Sequence, residues 1–216
     1  MSYINKRIVT SIVLLLVMYL CIENLYILFV TLLLINFMSI SEFSRLFKNI
    51  FKLNLSLIFF SNIFSIIYLS LFTIIIWLYV AAGQDTQIMT LIFLILICIL
   101  TDIGGFIFGK LIGGKKLTKI SPNKTYSGML GSIIFSLLFG YLFYYQMNIL
   151  IFDINIFVFI VIISLISQLG DLMISFLKRK AKLKDTGSIL PGHGGILDRI
   201  DGILLAIPVG IFLISI

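Results

Sequence analysis

The chain is a succession of long apolar runs separated by short polar breaks. A bilayer core of about 30 Å needs about 20 helical residues. Against that length the runs give seven candidate spans, near residues 7–22, 25–40, 57–82, 88–110, 127–147, 149–177 and 201–216. Their apolar character is continuous rather than alternating, which predicts helices and not the strands of a barrel. Only Glu23 and Asn24 interrupt the first two runs, so a hairpin dipping into the membrane and returning is an alternative there. Lys6 and Arg7 precede the first run as they would in a signal peptide, but no small-residue cleavage site follows, and an uncleaved span is expected. The expected fold class is all-α, a polytopic integral membrane helical bundle with about seven transmembrane helices.

Composition supports the same class. Of 216 residues, 61% are hydrophobic and 12% charged, with mean hydropathy +1.20; a soluble domain carries about 25% charged residues. Nothing marks a boundary, so residues 1–216 read as one membrane-embedded domain, with N-terminal spans in 1–55 and a motif-bearing core in 88–216. The net charge is +7, and its placement decides its meaning. All 16 Lys and Arg fall in four groups: 6 and 7; 45, 48 and 52; 110, 115, 116, 119 and 124; and 178, 179, 180, 182, 184 and 199. With seven spans and a cytoplasmic N-terminus, every group lands on one side, while the loops around Glu23, Asp85 and Met147–Asn148 hold none. The positive-inside rule then sets the topology, with the C-terminus external. Basic clusters between apolar runs suit an anionic lipid surface rather than nucleic acid. Cys21 and Cys98 lie inside apolar runs without metal-ligand spacing and read as small buried hydrophobes.

Candidate chemistry lies in two of the basic loops, Thr101–Thr125 and Gly170–Asp201, which hold eleven of the sixteen basic residues and the only histidine. Asp171 sits near the cytoplasmic end of the sixth run, where an ionised carboxylate needs a partner, a cation or a wet cavity. Helical spacing puts Ser175 and Lys178 on its face as one polar stripe. Asp198 and Asp201, three apart at the entry of the last run, share a face too. Carboxylates from two helices with basic residues beside them suit a magnesium–triphosphate site, because Mg²⁺ is held by one or two carboxylates plus substrate phosphates and cationic side chains offset the remaining charge. The structural alternative is that Asp171 and Asp198 simply pair with Lys178 and Arg199. Pro191-Gly192-His193-Gly194-Gly195 cannot be regular helix, and its glycines permit positive φ and close approach of a phosphate. His193 there fits a phosphate donor, an acid/base group or a loop-ordering residue equally well. Asp102, one turn inside the fourth run, is a second-rank candidate, and Gly105 and Gly109 suggest close helix packing. Ser121-Pro122-Asn123-Lys124-Thr125 reads as a turn before a new span, with Lys124 open to an interfacial-anchor role.

These residues resemble a family. Ser175-Phe-Leu-Lys178-Arg179, Lys184-Asp185, Pro191-Gly-His-Gly-Gly195 and Asp198-Arg199-Ile-Asp201 look like the signature of bacterial phosphatidate cytidylyltransferases, or CDP-diacylglycerol synthases. The Asp102–Lys110 segment and Ser121-Pro122-x-Lys124-Thr125 resemble that family's other shared block, and the likeness runs over roughly residues 90–210. This chain departs from the pattern at Ile174, where the family usually has an acidic residue, at Gly105-Phe106 in place of Ala-Tyr, and at Gly202 in place of serine. The resemblance implies transfer of CMP from CTP to phosphatidic acid, giving CDP-diacylglycerol and pyrophosphate. It implies Mg²⁺ held by Asp171 and Asp198 with Asp201 close by, a K⁺ ion alongside, a homodimer, and a multi-pass protein of the bacterial inner membrane working at its cytoplasmic face. Lys178, Arg179 and Arg199 are then expected to neutralise phosphates, Ser175 to donate a hydrogen bond, and Lys124, with His193, Gly194 and Asp102, to lie near nucleotide or head group.

Rival readings differ in sequence features. A CDP-alcohol phosphotransferase needs Asp-Gly-x-x-Ala-Arg with two later aspartates, whereas Asp201-Gly202 is followed by Ile-Leu-Leu-Ala-Ile. A transporter is expected to show a repeated half and midmembrane polar residues, but here the acids cluster at helix ends. A non-enzymatic scaffold has no use for carboxylate pairs beside a glycine loop.

Overall fold

The computed structural model describes residues 3–83, 85–118, 121, 124–147, 155–192 and 194–215. His193, Pro122, Asn123 and the expected start of the sixth span at 149 lie outside the described residues. Helices answer to all seven apolar runs: α1 (Tyr3–Glu23), α2 (Leu25–Phe51), α3 (Leu55–Ala81), α4 (Asp85–Leu111), α5 (Tyr126–Met147), α6 (Ile156–Lys180) and α7 (Leu197–Ser215). Among the described residues the only β-type pairings are two isolated bridges. The chain is an all-α, multi-pass membrane protein.

Five helices, α2 to α6, are long and apolar enough to cross a membrane. The apolar part of α1, Ile8–Glu23, is shorter. The first turns of α7 carry Asp198, Arg199 and Asp201, which shortens its apolar run. The largest difference from the sequence reading is α2, which does not stop near residue 40 but continues to Phe51. Its added turns bury Glu42, Phe43, Leu46 and Phe47, which continue the helical spacing of buried Ser39. The Glu23–Asn24 break is one residue wide: Asn24 caps α2, its side chain accepting N–H bonds from Tyr26 at 2.8 Å and Ile27 at 3.3 Å.

The chain forms two compact units. The first holds residues 1–82 and 177–200, the second 83–176 and 201–216. In the first, α2 packs on α3, and Leu32 and Leu46 of α2 and Leu69 and Ile76 of α3 are buried. Asn36 on α2 ties the pair by donating to the Leu69 carbonyl and the Thr73 hydroxyl, both at 3.0 Å. In the second unit, α4 and α5 meet along small residues, the seam expected of helices that gain little from hiding apolar surface in lipid. A Cβ on Gly104 would lie 2.6 Å from the Phe135 Cβ and 2.8 Å from the Gly131 carbonyl oxygen. One on Gly128 would lie 2.9 Å from the Gly105 carbonyl oxygen. Ser132 adds a hydrogen bond of 2.7 Å to the Thr101 carbonyl. Further in, Thr101 donates to Ser164 of α6 at 3.0 Å, and Phe93 stacks on Phe159. Many large apolar side chains are exposed, among them Phe37, Phe60, Phe64 and Tyr145; on a soluble protein so much apolar surface would drive association.

The α4–α5 seam yields the first prediction. Gly104→Ala should lower stability in detergent unfolding by about 1–3 kcal/mol, the cost of overpacking a tight contact. Gly140→Ala, whose Cβ meets Ile160 at an ordinary 3.4 Å, should cost far less. Equal midpoints for the two variants would show that the seam is not closely packed.

Candidate functional site

The second unit builds its polar cluster around Asp171 on α6. Gly113 (φ 63) and Gly114 (φ 102) turn the chain out of α4 in conformations that glycine adopts without strain. The returning strand is tied back by the Lys116–Thr125 bridge and by the Leu117 N–H on the Lys124 carbonyl at 2.8 Å. Thr125 then caps α5, its hydroxyl oxygen accepting the Gly128 N–H at 3.1 Å. This turn delivers Lys124, whose ammonium forms an ion pair with Asp171. Ser175, one helical turn on, donates to the same carboxylate at 3.3 Å. Gly170, next to Asp171, has no side chain where the Asp201 carbonyl of α7 passes, so the backbones of the two helices touch beside both aspartates. Asp102 is exposed on α4 of the same unit.

The first unit builds a second cluster around Asp198, in the first turn of α7 and ahead of that helix's apolar run. Its Oδ1 accepts from the Lys178 ammonium at 2.8 Å. Its Oδ2 accepts the backbone N–H of Thr186 at 2.9 Å and that of Gly195 at 3.0 Å, with the Thr186 hydroxyl also at 3.0 Å. The side chain is only 7% exposed. Burial pushes this carboxyl up, but the Lys178 ammonium and the N–H groups of Gly195 and Thr186 outweigh it and hold the group below the usual carboxylate range. Gly192 (φ 79) and Gly194 (φ 87) have positive φ in the loop, and a Cβ on Gly194 would stand 2.9 Å from Asp198 Oδ2. Arg179 is exposed and donates to the Leu183 carbonyl at 3.4 Å; Arg199 is also exposed.

The stripe expected along α6 is therefore split. Ser175 turns to Asp171 and Lys178 to Asp198, while Asp171 takes Lys124, a residue whose sequence gave no hint of that partner. Asp171 belongs to the second unit and Asp198 to the first.

Comparison with known proteins fits these motifs. A profile of the cytidylyltransferase family matches residues 52–216. The chain belongs to that family. Among its relatives, the "Phosphatidate cytidylyltransferase" of Staphylococcus haemolyticus is 40% identical over 136 residues, 61% of this chain and 51% of that protein. The Staphylococcus aureus protein of the same name is 43% identical over 122 residues, 55% of this chain and 46% of its own length. The Bacillus subtilis protein, also so named, is 43% identical over 116 residues, 53% and 43% respectively. The matched part of this chain thus spans about half the length of these relatives.

The donor chemistry fits a hard divalent cation. Asp171 and Asp198 offer carboxylate oxygens, and Asp198 Oδ1, with one donor among the described residues, keeps a lone pair that they do not occupy. Among the described residues no group of three or more His, Cys, Asp or Glu is gathered to hold a metal. One further residue was missed by sequence reasoning. Glu42 on α2 is 3% exposed and reaches the Asp198 loop. The signal was present: Ser39, Glu42, Phe43, Leu46 and Phe47 fall at i, i+3, i+4, i+7 and i+8, so an acid sits on an apolar stripe.

The Lys178–Asp198 pair makes a second prediction. Lys178→Met leaves a nearly dry carboxylate with neutral donors only and should cost about 1–3 kcal/mol in detergent unfolding at neutral pH. A carboxyl with a depressed folded pKa stabilises above its unfolded value and loses that contribution as pH falls through the folded one. The gap between wild type and variant should therefore close in acid. A gap independent of pH would show that the carboxylate's charge is not what Lys178 answers.

Proposed function

We propose that this chain is a phosphatidate cytidylyltransferase, joining CTP and phosphatidic acid to form CDP-diacylglycerol and pyrophosphate in phospholipid biosynthesis. The observation that carries the reading is the pairing of two helix-end aspartates with lysines, Asp171 with Lys124 and Asp198 with Lys178. Such pairs hold ready both the anionic ligands a cation needs and the cationic groups that phosphates need. The names of the relatives narrow the substrates to phosphatidate and a cytidine nucleotide.

In this reading a phosphate oxygen of phosphatidic acid attacks the α-phosphorus of CTP. The bond from that phosphorus to the bridging oxygen breaks, and pyrophosphate leaves with the bonding electrons. The nucleophile comes from the substrate, so no serine or cysteine is consumed. The protein's task is to bring two polyanions together and answer their charge. Asp171 and Asp198 would hold Mg²⁺, with Asp201 on α7 beside them, and a K⁺ ion would serve as a second cation. When bound, Mg²⁺ draws charge from the phosphates and favours the departure of pyrophosphate. Lys178, Arg179 and Arg199 neutralise phosphate oxygens. Ser175 orients the Asp171 carboxylate through its hydroxyl, and Lys124 serves the nucleotide or the lipid head group. The positive-inside pattern supports a site on the cytoplasmic face of a bacterial inner membrane, and the protein works there as a homodimer.

Purified protein given labelled CTP and phosphatidic acid should form a CDP-lipid and pyrophosphate in equal amounts. A CDP-alcohol phosphotransferase would release CMP from a CDP-lipid instead, and a transporter would turn over neither. Asp171→Asn and Asp198→Asn should each lower turnover by about a hundredfold or more while the protein still inserts, as loss of a transition-state stabiliser does. Unchanged turnover in either variant would remove that residue from metal binding.

A further inference from the structure

Glu42 lies outside the segment matched by the family profile and outside every motif discussed so far, yet it is among the most enclosed charged groups described, with 3% exposure. Its Oε1 accepts the Ile196 N–H at 2.9 Å. Its Oε2 accepts the Leu197 N–H at 3.0 Å and the Thr186 hydroxyl at 2.6 Å. Those two amides open α7, the helix whose first turn carries Asp198, so Glu42 grips that helix from another element in the manner of an N-cap. The surrounding backbone is cut to admit it. A Cβ on Gly187 would fall 2.6 Å from Glu42 Oε1, and one on Gly195 2.5 Å from both carboxylate oxygens.

The second arm is chemical. Fully buried Thr186 places one hydroxyl 2.6 Å from Glu42 and 3.0 Å from Asp198 Oδ2. A hydroxyl has a single proton to donate. While Glu42 takes that proton, the Asp198 oxygen is answered mainly by backbone N–H groups and keeps more of its charge. Were Glu42 unable to accept it, the proton would turn to Asp198 and draw that charge away.

We infer that Glu42 is a positioning residue for Asp198, acting through the α7 amides and through the shared Thr186 hydroxyl to set where that carboxylate stands and how strongly it holds a cation. The inference rests on the proposed role of Asp198 in binding Mg²⁺. Glu42→Gln keeps the shape of the side chain, but its amide nitrogen cannot accept, so one of the two oxygen positions that now meet Ile196, Leu197 and Thr186 loses its acceptor.

The test compares full-length wild type, Glu42→Gln, Thr186→Val, Thr186→Ser and the double variant Glu42→Gln/Thr186→Val in detergent. The first readout is amide hydrogen exchange. Glu42→Gln should speed exchange of the 194–198 segment by about tenfold while leaving α4 and α5 unchanged, because a local clamp opens locally. The second readout is the Mg²⁺ dependence of CTP turnover. Glu42→Gln should raise the half-saturating Mg²⁺ concentration by about tenfold to a hundredfold, the usual cost of removing a group that orients a metal ligand, with a smaller change in kcat at saturating Mg²⁺; Thr186→Val, which removes the proton that could turn to Asp198, should raise it less. Thr186→Ser should keep wild-type values, and the double variant should be less affected than Glu42→Gln alone, since without the hydroxyl no proton can turn to Asp198. Wild-type exchange at the 194–198 amides in Glu42→Gln would overturn the inference. So would a fall in kcat with unchanged Mg²⁺ half-saturation, the mark of a merely structural role. Absence of CTP turnover in the wild type refutes the proposed reaction instead, and the exchange readout then decides the positioning by itself.

Discussion

An ionised carboxylate removed from water must be answered by donors, and the polar ends of this protein follow from that requirement. Leaving such a group unpaired costs several kcal/mol, far more than any one contact returns. Asp198 and Glu42 are both nearly dry, and each oxygen of each is met by an N–H, an O–H or an ammonium. The loop between α6 and α7 is shaped to supply those donors. Its glycines lie where a side chain would collide with a carboxylate: Gly194 against Asp198, and Gly187 and Gly195 against Glu42. The glycine-rich stretch is therefore first a device for wrapping backbone amides around anions of the protein itself. Room for a phosphate is a further use of the same geometry.

A different constraint governs the spans. Helices in lipid gain little from hiding apolar surface against each other, so closeness and polar contacts must hold them together. The α4–α5 seam answers with Gly104, Gly105, Gly128 and Gly131 and with the Ser132 hydroxyl on the Thr101 carbonyl. Gly170 does the same where α6 meets α7. That contact lies next to Asp171 and Asp201, so the packing that brings the two helices together also sets the level at which their carboxylates stand.

Most of the helical plan was legible in the sequence, because a hydrophobic run of membrane length has few alternative structures. Seven runs gave seven helices, and the early end assigned to α2 is instructive. Beyond residue 40 the chain turns amphipathic, with Arg45 and Lys48 beside Phe43, Leu46 and Phe47, so average hydropathy falls while helical periodicity persists. A reading tuned to spans stopped there and missed Glu42 on the buried stripe. The aspartates were legible as costly charges near helix ends, but their partners were not. Helical spacing offered Lys178 to Asp171, whereas the turn before α5 brings Lys124 to it from 47 residues upstream. Local periodicity orders residues along one helix and carries no information about what a distant loop delivers.

Each lysine–aspartate pair bears on how a polar cluster within its own unit can be both stable without substrate and ready for it. Lys124–Asp171 and Lys178–Asp198 are each close to neutral as units, so they can stand at partly enclosed positions without the full cost of a lone charge. In the proposed reaction, a nucleotide triphosphate and its cation arrive together with opposite charges. Each pair can then separate its attentions, the carboxylate turning toward the cation and the ammonium toward phosphate oxygen, with no isolated charge created at any stage. The exchange is easiest where the carboxylate does not depend on its lysine to keep its place. Asp198 meets that condition, because the backbone N–H groups of Thr186 and Gly195 hold one oxygen while Lys178 is bound only to the other. The lysine is free to leave a carboxylate that stays where the loop has fixed it.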